Sequence, residues 1–448
     1  MPFRPSDKLK NVLNIALPSI AEMLFVSLAG LIDSYMVSSL GANAVASVGL
    51  TGQPKMIGLA VFTSMNVAVS ALVARRFGEK KRREAGGILM TSLLATLILV
   101  TFVSTACVFY APQILHLCGS TPDTHDGAVT YFRIIMGGML FNCVQLVINS
   151  ALRGIGDTKI TMRTNITSNT VNIIFNYLLI GGNFGFPALG IAGAALATVL
   201  GTVVSSVMSL VSLFRKDRFL NLPYCISEGV RPSLDAMRSI IRIGYGVFGE
   251  QLLLRIGFLA TALMAADQGD AAMAAHQVTM NVMSLSFSCG DGLQQTAIAL
   301  IGRSLGEKDP DLAKEYGTLC QRLGLAFSLT LAVLYFFGGH TIMAMFFREP
   351  EIVELGAGLL RIVILIVLFQ IRQIVYMGSL RGAGDTLYTA VAGAVSVTVI
   401  RTAASYILCY PLGLGIHGIW FGILADQVSR FIFASLRFRS GKWTKIRI

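Results

Sequence analysis

Asp33 is the first candidate for chemistry in this chain of 448 residues. Its carboxylate stands in the last third of an apolar stretch over 11–38, where an ionisable group is costly and needs a partner, water or a function. Asn172 and Asn176, spaced i, i+4, share one face of a helix, and Thr198 follows on the next apolar stretch. A carboxylate with two amides and a hydroxyl can hold a proton, or bind Na⁺ through oxygen ligands. The alternative is a pair between Asp33 and Arg133, which approaches the same depth, with the two asparagines packing their helix.

Other ionisable groups inside apolar stretches sort by depth into opposite charges: Glu22 with Lys55, Arg401 with Asp426, Asp291 with Arg372, and Glu250 one turn from Arg255. Such pairs lock a bundle by mutual neutralisation. The polar positions Gln53, Gln145, Asn149, Gln277 and Asn281, with Glu22 and Glu250, are candidates to line a substrate cleft, although interhelical hydrogen bonding is the commoner use of such amides. His276, His340 and His417 fall near stretch ends, where a histidine is ordinarily a polar surface residue. No Ser/His/Asp order, H-E-x-x-H or Walker A loop occurs, so neither an enzyme nor an ATP-driven pump is expected. The seven cysteines never form C-x-x-C and read as free thiols without a disulfide framework or zinc site.

The elements that position these residues follow from composition. Apolar residues make up 54% and charged residues 13%, against about 25% charged in a soluble domain. Stretches long enough to cross a bilayer occur at about 11–38, 44–74, 87–110, 128–151, 160–182, 190–214, 239–265, 273–301, 315–337, 355–380, 387–410 and 415–437. The expectation is an all-α integral membrane protein of twelve transmembrane helices in two six-helix bundles with a central cleft: 1–214, a cytoplasmic linker at 215–238, and 239–448. Of 36 Lys and Arg, 28 fall in the termini and alternate loops, and Arg348 alone in the opposite loops. Excess cytoplasmic Lys and Arg places both termini in the cytoplasm of a multi-pass cell-membrane protein. The formal charge of +12 is therefore topogenic and suits lipid headgroups rather than nucleic acid.

The halves repeat. Ala74-Arg75-Arg76-Phe77-Gly78-Glu79-Lys80 matches Gly302-Arg303-Ser304-Leu305-Gly306-Glu307-Lys308 at an offset of 228 (302 − 74), and Leu152-Arg153-Gly154-Ile155-Gly156-Asp157-Thr158 matches Leu380-Arg381-Gly382-Ala383-Gly384-Asp385-Thr386 at the same offset. Glu22 pairs with Glu250 in this register, whereas Asp33 falls on Thr261. A six-helix direct repeat relates the bundles by an axis along the membrane normal.

At these residues the chain resembles the multidrug and toxic compound extrusion (MATE) family. The resemblance rests on Ile32-Asp33-Ser34-Tyr35-Met36-Val37, the Ala-Arg-x-x-Gly-Glu run at Ala74, the two Leu-Arg-Gly-x-Gly-Asp loops, and Ala274-Ala275-His276-Gln277. It implies a secondary active antiporter, functional as a monomer without cofactors, that exports organic cationic amphipathic compounds for H⁺ or Na⁺ by alternating access. The family's coupling-cation position carries over to Asp33, Asn172, Asn176 and Thr198, with no metal other than Na⁺ at Asp33. A lipid-linked oligosaccharide flippase of the same superfamily is the alternative, and would require a cationic cleft.

Overall fold

The computed structural model describes residues 5–215 and 218–446, apart from the side chains of residues 5, 6 and 42. Twelve helical segments dominate: α1 Pro5–Ser38, α2 Ala42–Gly78, α3 Arg82–Phe109, α4 Pro122–Gly154, α5 Thr158–Gly181, α6 Gly190–Ser212, α7 Leu234–Asp267, α8 Asp270–Gly306, α9 Pro310–Phe346, α10 Pro350–Gly382, α11 Thr386–Cys409 and α12 Gly415–Arg439. Nine are long and apolar enough to cross a membrane among the described residues, and α4 qualifies as a tenth although it bends by 45° at Gly138. α5 and α8 carry too many polar side chains for that measure, among them Asn172 and Asn176 of the candidate site.

Local chemistry explains where helices stop. In both Leu-Arg-Gly-x-Gly-Asp loops the second glycine is left-handed, with φ of 85° at Gly156 and 89° at Gly384. Each returns its N–H to an arginine carbonyl, Arg153 or Arg381, at 2.9 Å, and the following aspartate N–H reaches Leu152 or Leu380 at 2.9 Å. This closes the last turn of a helix with a Schellman-type cap, a conformation glycine adopts without penalty. Lys80 and Lys308 also match, at φ of 59° and 60°. The sequence repeat is thus a repeat of turns. At the other boundaries Pro122, Pro310 and Pro350 open helices where a missing N–H costs nothing, and Asp309 caps α9 by accepting from Leu312 N at 2.9 Å.

By contact the chain forms two units, residues 24–244 and residues 1–23 with 245–448, so the boundaries fall inside α1 and α7. In the first unit the expected linker contains a short helix, Leu222–Ser227. It is tied down by Arg82, whose Nε and Nη2 donate to the carbonyls of Phe219 and Arg218 at 2.7 Å, and by Ser233 N donating to Thr91 Oγ1 at 3.0 Å.

Within that unit α5 and α6 pack with their backbones nearly touching. Gly193, Ala197 and Gly201 form an i, i+4, i+8 stripe on α6. A Cβ on Gly193 would collide with the Leu179 carbonyl of α5, and one on Gly201 would lie 2.6 Å from the Ser168 carbonyl. Small residues let transmembrane helices approach this closely, and the approach carries Thr198 to Asn172. In the second unit α11 and α12 repeat the contact: a Cβ on Gly418 would stand 2.6 Å from the Leu408 carbonyl, and one on Gly422 would stand 2.6 Å from Ser405 N. α11 differs in having a widened π-helical turn over Val395–Arg401.

Candidate functional site

The site in the first unit assembles from α1, α5 and α6. Asn176 is wholly buried, and its Nδ2 donates to the Asp33 carboxylate and to Asn172 Oδ1 at 3.4 Å. Asn172 Nδ2 donates in turn to Thr198 Oγ1 at 3.0 Å, and that hydroxyl donates to the Ala194 carbonyl at 3.0 Å. A hydrogen-bond chain thus links the Asp33 carboxylate to the α6 backbone, with Asn176 Nδ2 donating toward both ends. It leaves Asn176 Oδ1 buried with no hydrogen-bond partner. Under the chain lies an apolar cluster of Val37, Tyr131, Ile180, Ala194 and Ala195. Beside it a cavity of about 380 Å³, lined by Tyr35, Met36, Asn176, Tyr177, Ile180 and Asn183, reaches the helix ends. All four residues singled out in the sequence therefore meet.

Their neighbours depart from expectation. Arg133 does not engage Asp33: it is exposed and donates from Nε to the Val108 carbonyl at 3.3 Å. The cation that acts electrostatically on Asp33 is Lys55 of α2, which depth-matching assigned to Glu22. Tyr131 of α4, which the sequence did not flag, also lies within electrostatic reach of Asp33. An orphaned buried acceptor beside a carboxylate can receive a protonated acid or ligate a cation, since an unmade hydrogen bond in the interior is costly.

The cleft candidates divide. Gln145 is buried, donating to Asn165 Oδ1 at 2.5 Å and accepting from Ser205 Oγ at 2.5 Å. Asn149, also buried, donates to Thr164 Oγ1 at 3.3 Å and accepts from Ser209 Oγ at 3.1 Å. Both tie α4 to α5 and α6. Gln53, Gln277 and Asn281 are exposed, and Glu22 is fully buried in the segment that clusters with the second unit. Glu250 is buried too. Its partner is Arg381 of the α10 loop motif at 2.6 Å rather than Arg255.

Arg372 does not meet Asp291 but lies over the Phe431 ring, 4.7 Å from its centroid, and the cation acting on Asp291 is again Arg381. Arg401 and Asp426 do approach, at 3.7 Å, yet Arg430 binds Asp426 more closely, at 2.7 Å. Sequence reasoning missed Arg430 although Asp426 and Arg430 are spaced i, i+4, the signal that was available. His276, expected at the surface, is buried with its ring 5.4 Å from that of Trp420. His340 is exposed and His417 half-buried. Among the described residues no three His, Cys, Asp or Glu gather as metal ligands.

The MatE family model matches residues 18–178 and 247–407, one copy in each half. A probable multidrug resistance protein NorM of Thermotoga maritima is 27% identical over 442 residues, covering 97% of this chain and 93% of that protein. The uncharacterised transporter YisQ of Bacillus subtilis is 25% identical over 442 residues, covering 98% and 96%. A solved outward-facing structure of a multidrug resistance MATE family transporter superposes with a TM-score of 0.90 at 21% identity, covering 97% of both chains. A MATE structure in a bent conformation gives 0.88. These likenesses fit an all-helical transporter fold built from two related six-helix halves.

Proposed function

The chain belongs to the MatE family of membrane transporters, and from that premise we propose that it is a secondary active exporter of organic, amphipathic cations, driven by inward movement of H⁺ or Na⁺ at Asp33. The observation that carries this reading is the hydrogen-bond chain from Thr198 through Asn172 and Asn176 to Asp33, with Asn176 Oδ1 left unpartnered. Asp33 receives the coupling cation. As a carboxylate it accepts from Asn176 Nδ2 and feels Lys55; once protonated or bound to Na⁺, the charge whose desolvation opposes closure is gone. Asn172 and Thr198 orient the Asn176 amide, and an Asn176 carbonyl oxygen supplies the further acceptor a hydroxyl or Na⁺ requires. The single carboxylate supports a coupling role over a structural one, since the repeat partner Thr261 satisfies itself on Gly257 O at 3.1 Å and Phe258 O at 3.0 Å.

Coupling needs the cation and the exported compound to favour opposite conformations, because a ligand shifts an equilibrium only by its differential affinity. Names of relatives support multidrug resistance as the physiological role. The test is uptake of a fluorescent amphipathic cation, ethidium, into everted vesicles with an outwardly directed H⁺ or Na⁺ gradient imposed separately. One gradient is expected to drive accumulation. Accumulation indifferent to both would overturn the antiport reading.

A further inference from the structure

The α5–α6 contact of the first unit and the α11–α12 contact of the second share one register. Gly193 abuts Leu179 as Gly418 abuts Leu408. Counting from these crossings, Arg401 occupies the place of Asn172, Ser405 that of Asn176 and Asp426 that of Gly201. The second unit thus holds, where the first has its acid-and-amide cluster, a guanidinium and a threonine in place of the amide and Asp33.

Arg401 is 1% exposed, and none of its three guanidinium nitrogens has a hydrogen-bond acceptor. Asp426 Oδ2, 3.7 Å from Nη1, is turned to Arg430 instead, and the Arg401 guanidinium lies over the Phe258 ring, 4.5 Å from centroid to Cζ. Four more orphans lie among these residues: the donors Trp420 Nε1 on α12, wholly buried, and Arg430 Nε, and against them Asp426 Oδ1 and the ring nitrogen Nδ1 of His276. His276 on α8 packs its ring against Trp420 and is within electrostatic reach of Arg401. Donors therefore outnumber acceptors. Two guanidinium groups face one carboxylate, so the cluster is short of one negative charge. The widened turn of α11 ends at Arg401, and such π-turns recur at functional sites. Guanidinium and indole N–H groups without acceptors in a dry interior are costly, and the missing partner has the chemistry of an anion.

We propose that the second unit binds a small monovalent anion, chloride under cellular conditions, at Arg401 with Trp420 as a further donor, in the position that mirrors the Asp33 cluster. The two halves then carry sites of opposite sign on one architecture. The anion completes the hydrogen bonding of Arg401 and balances the Arg401–Asp426–Arg430 group. This site stands whether or not Asp33 couples transport, because none of its residues belongs to the first unit.

The protein purified in detergent is unfolded thermally in sodium gluconate at constant ionic strength, with chloride replacing gluconate stepwise. A saturable rise in midpoint is expected for the wild type. Arg401→Gln should abolish the chloride response, and Trp420→Phe, which removes the indole N–H and leaves an aromatic ring and every charge in place, should raise the half-saturating chloride concentration about tenfold. Crystals soaked in bromide should show an anomalous peak within hydrogen-bond distance of the Arg401 guanidinium. Equal midpoints in gluconate and chloride, an unchanged half-saturation in Trp420→Phe, or water alone at Arg401 would each overturn the proposal.

Discussion

Replacing Arg381 by Gln should destabilise the second unit far more than an ordinary loop substitution. Arg381 Nη2 donates to Glu250 at 2.6 Å and Nη1 to Gln294 Oε1 at 3.4 Å, with the arginine and glutamate side chains only 9% and 4% exposed. Gln cannot reach as far and carries no charge, so the Glu250 carboxyl would lose its partner in a site that excludes water. Breaking a buried pair by deleting one partner costs about 3–5 kcal/mol, roughly a 100- to 5000-fold loss in the ratio of folded to unfolded protein. Glu250→Gln should cost less, since its amide oxygen still accepts from the guanidinium. The double variant should recover part of the loss, but not all, because Arg381 also acts on Asp291. The assay is a double-mutant cycle by SDS titration in mixed micelles, following folded fraction. Wild-type stability in Arg381→Gln, or costs that simply add, would refute the reasoning.

Three further outcomes are expected. Gly193→Ala, which drives a methyl into the Leu179 carbonyl, should cost about 1–3 kcal/mol of folded stability, whereas Gly49→Ala, with nothing within 4 Å of the added carbon, should be neutral in the same titration. Asp426→Asn should sharply lower the detergent-soluble folded yield, because Arg401 and Arg430 then face each other without a countercharge, and adding Arg430→Gln should restore part of it. With the exposed Cys118 first replaced by Ser, Gly41→Cys, Asp123→Cys and Asp270→Cys should label from outside intact cells, and Lys81→Cys, Arg231→Cys and Lys308→Cys only in everted vesicles; a single inversion would break the orientation read from the basic loops.

The Asp33 cluster was legible because two independent signals coincide there: an acid whose repeat partner, Thr261, is neutral, and an i, i+4 amide pair that fixes which face of α5 must meet it. The charge pairs were legible only in part. Depth along a helix fixes one coordinate, and it found Arg401 with Asp426, but azimuth decides contact. Arg133 therefore reaches Val108 while Lys55 acts on Asp33, and Arg372 turns to a Phe431 ring that no acid-base matching considers. Arg381 was counted as a topogenic loop charge, although its long side chain reaches back into the bundle to Glu250. For Gln145 and Asn149 the sequence could not separate a cleft from a helix contact; partners on α5 and α6 make that separation. The close α5–α6 crossing was implicit in the glycine stripe of α6, yet its carbonyl partners on α5 depend on tertiary register.

The most direct test of Asp33 is gradient-driven ethidium accumulation in everted vesicles by Asp33→Asn, compared with wild type and with Thr261→Ala at matched expression, alongside ethidium binding to the purified proteins. Asn imitates the neutral acid permanently. It should abolish accumulation under either ion gradient and leave ethidium binding largely intact, while Thr261→Ala should transport nearly as the wild type. Wild-type accumulation by Asp33→Asn, with the same dependence on the imposed gradient, would contradict the assignment.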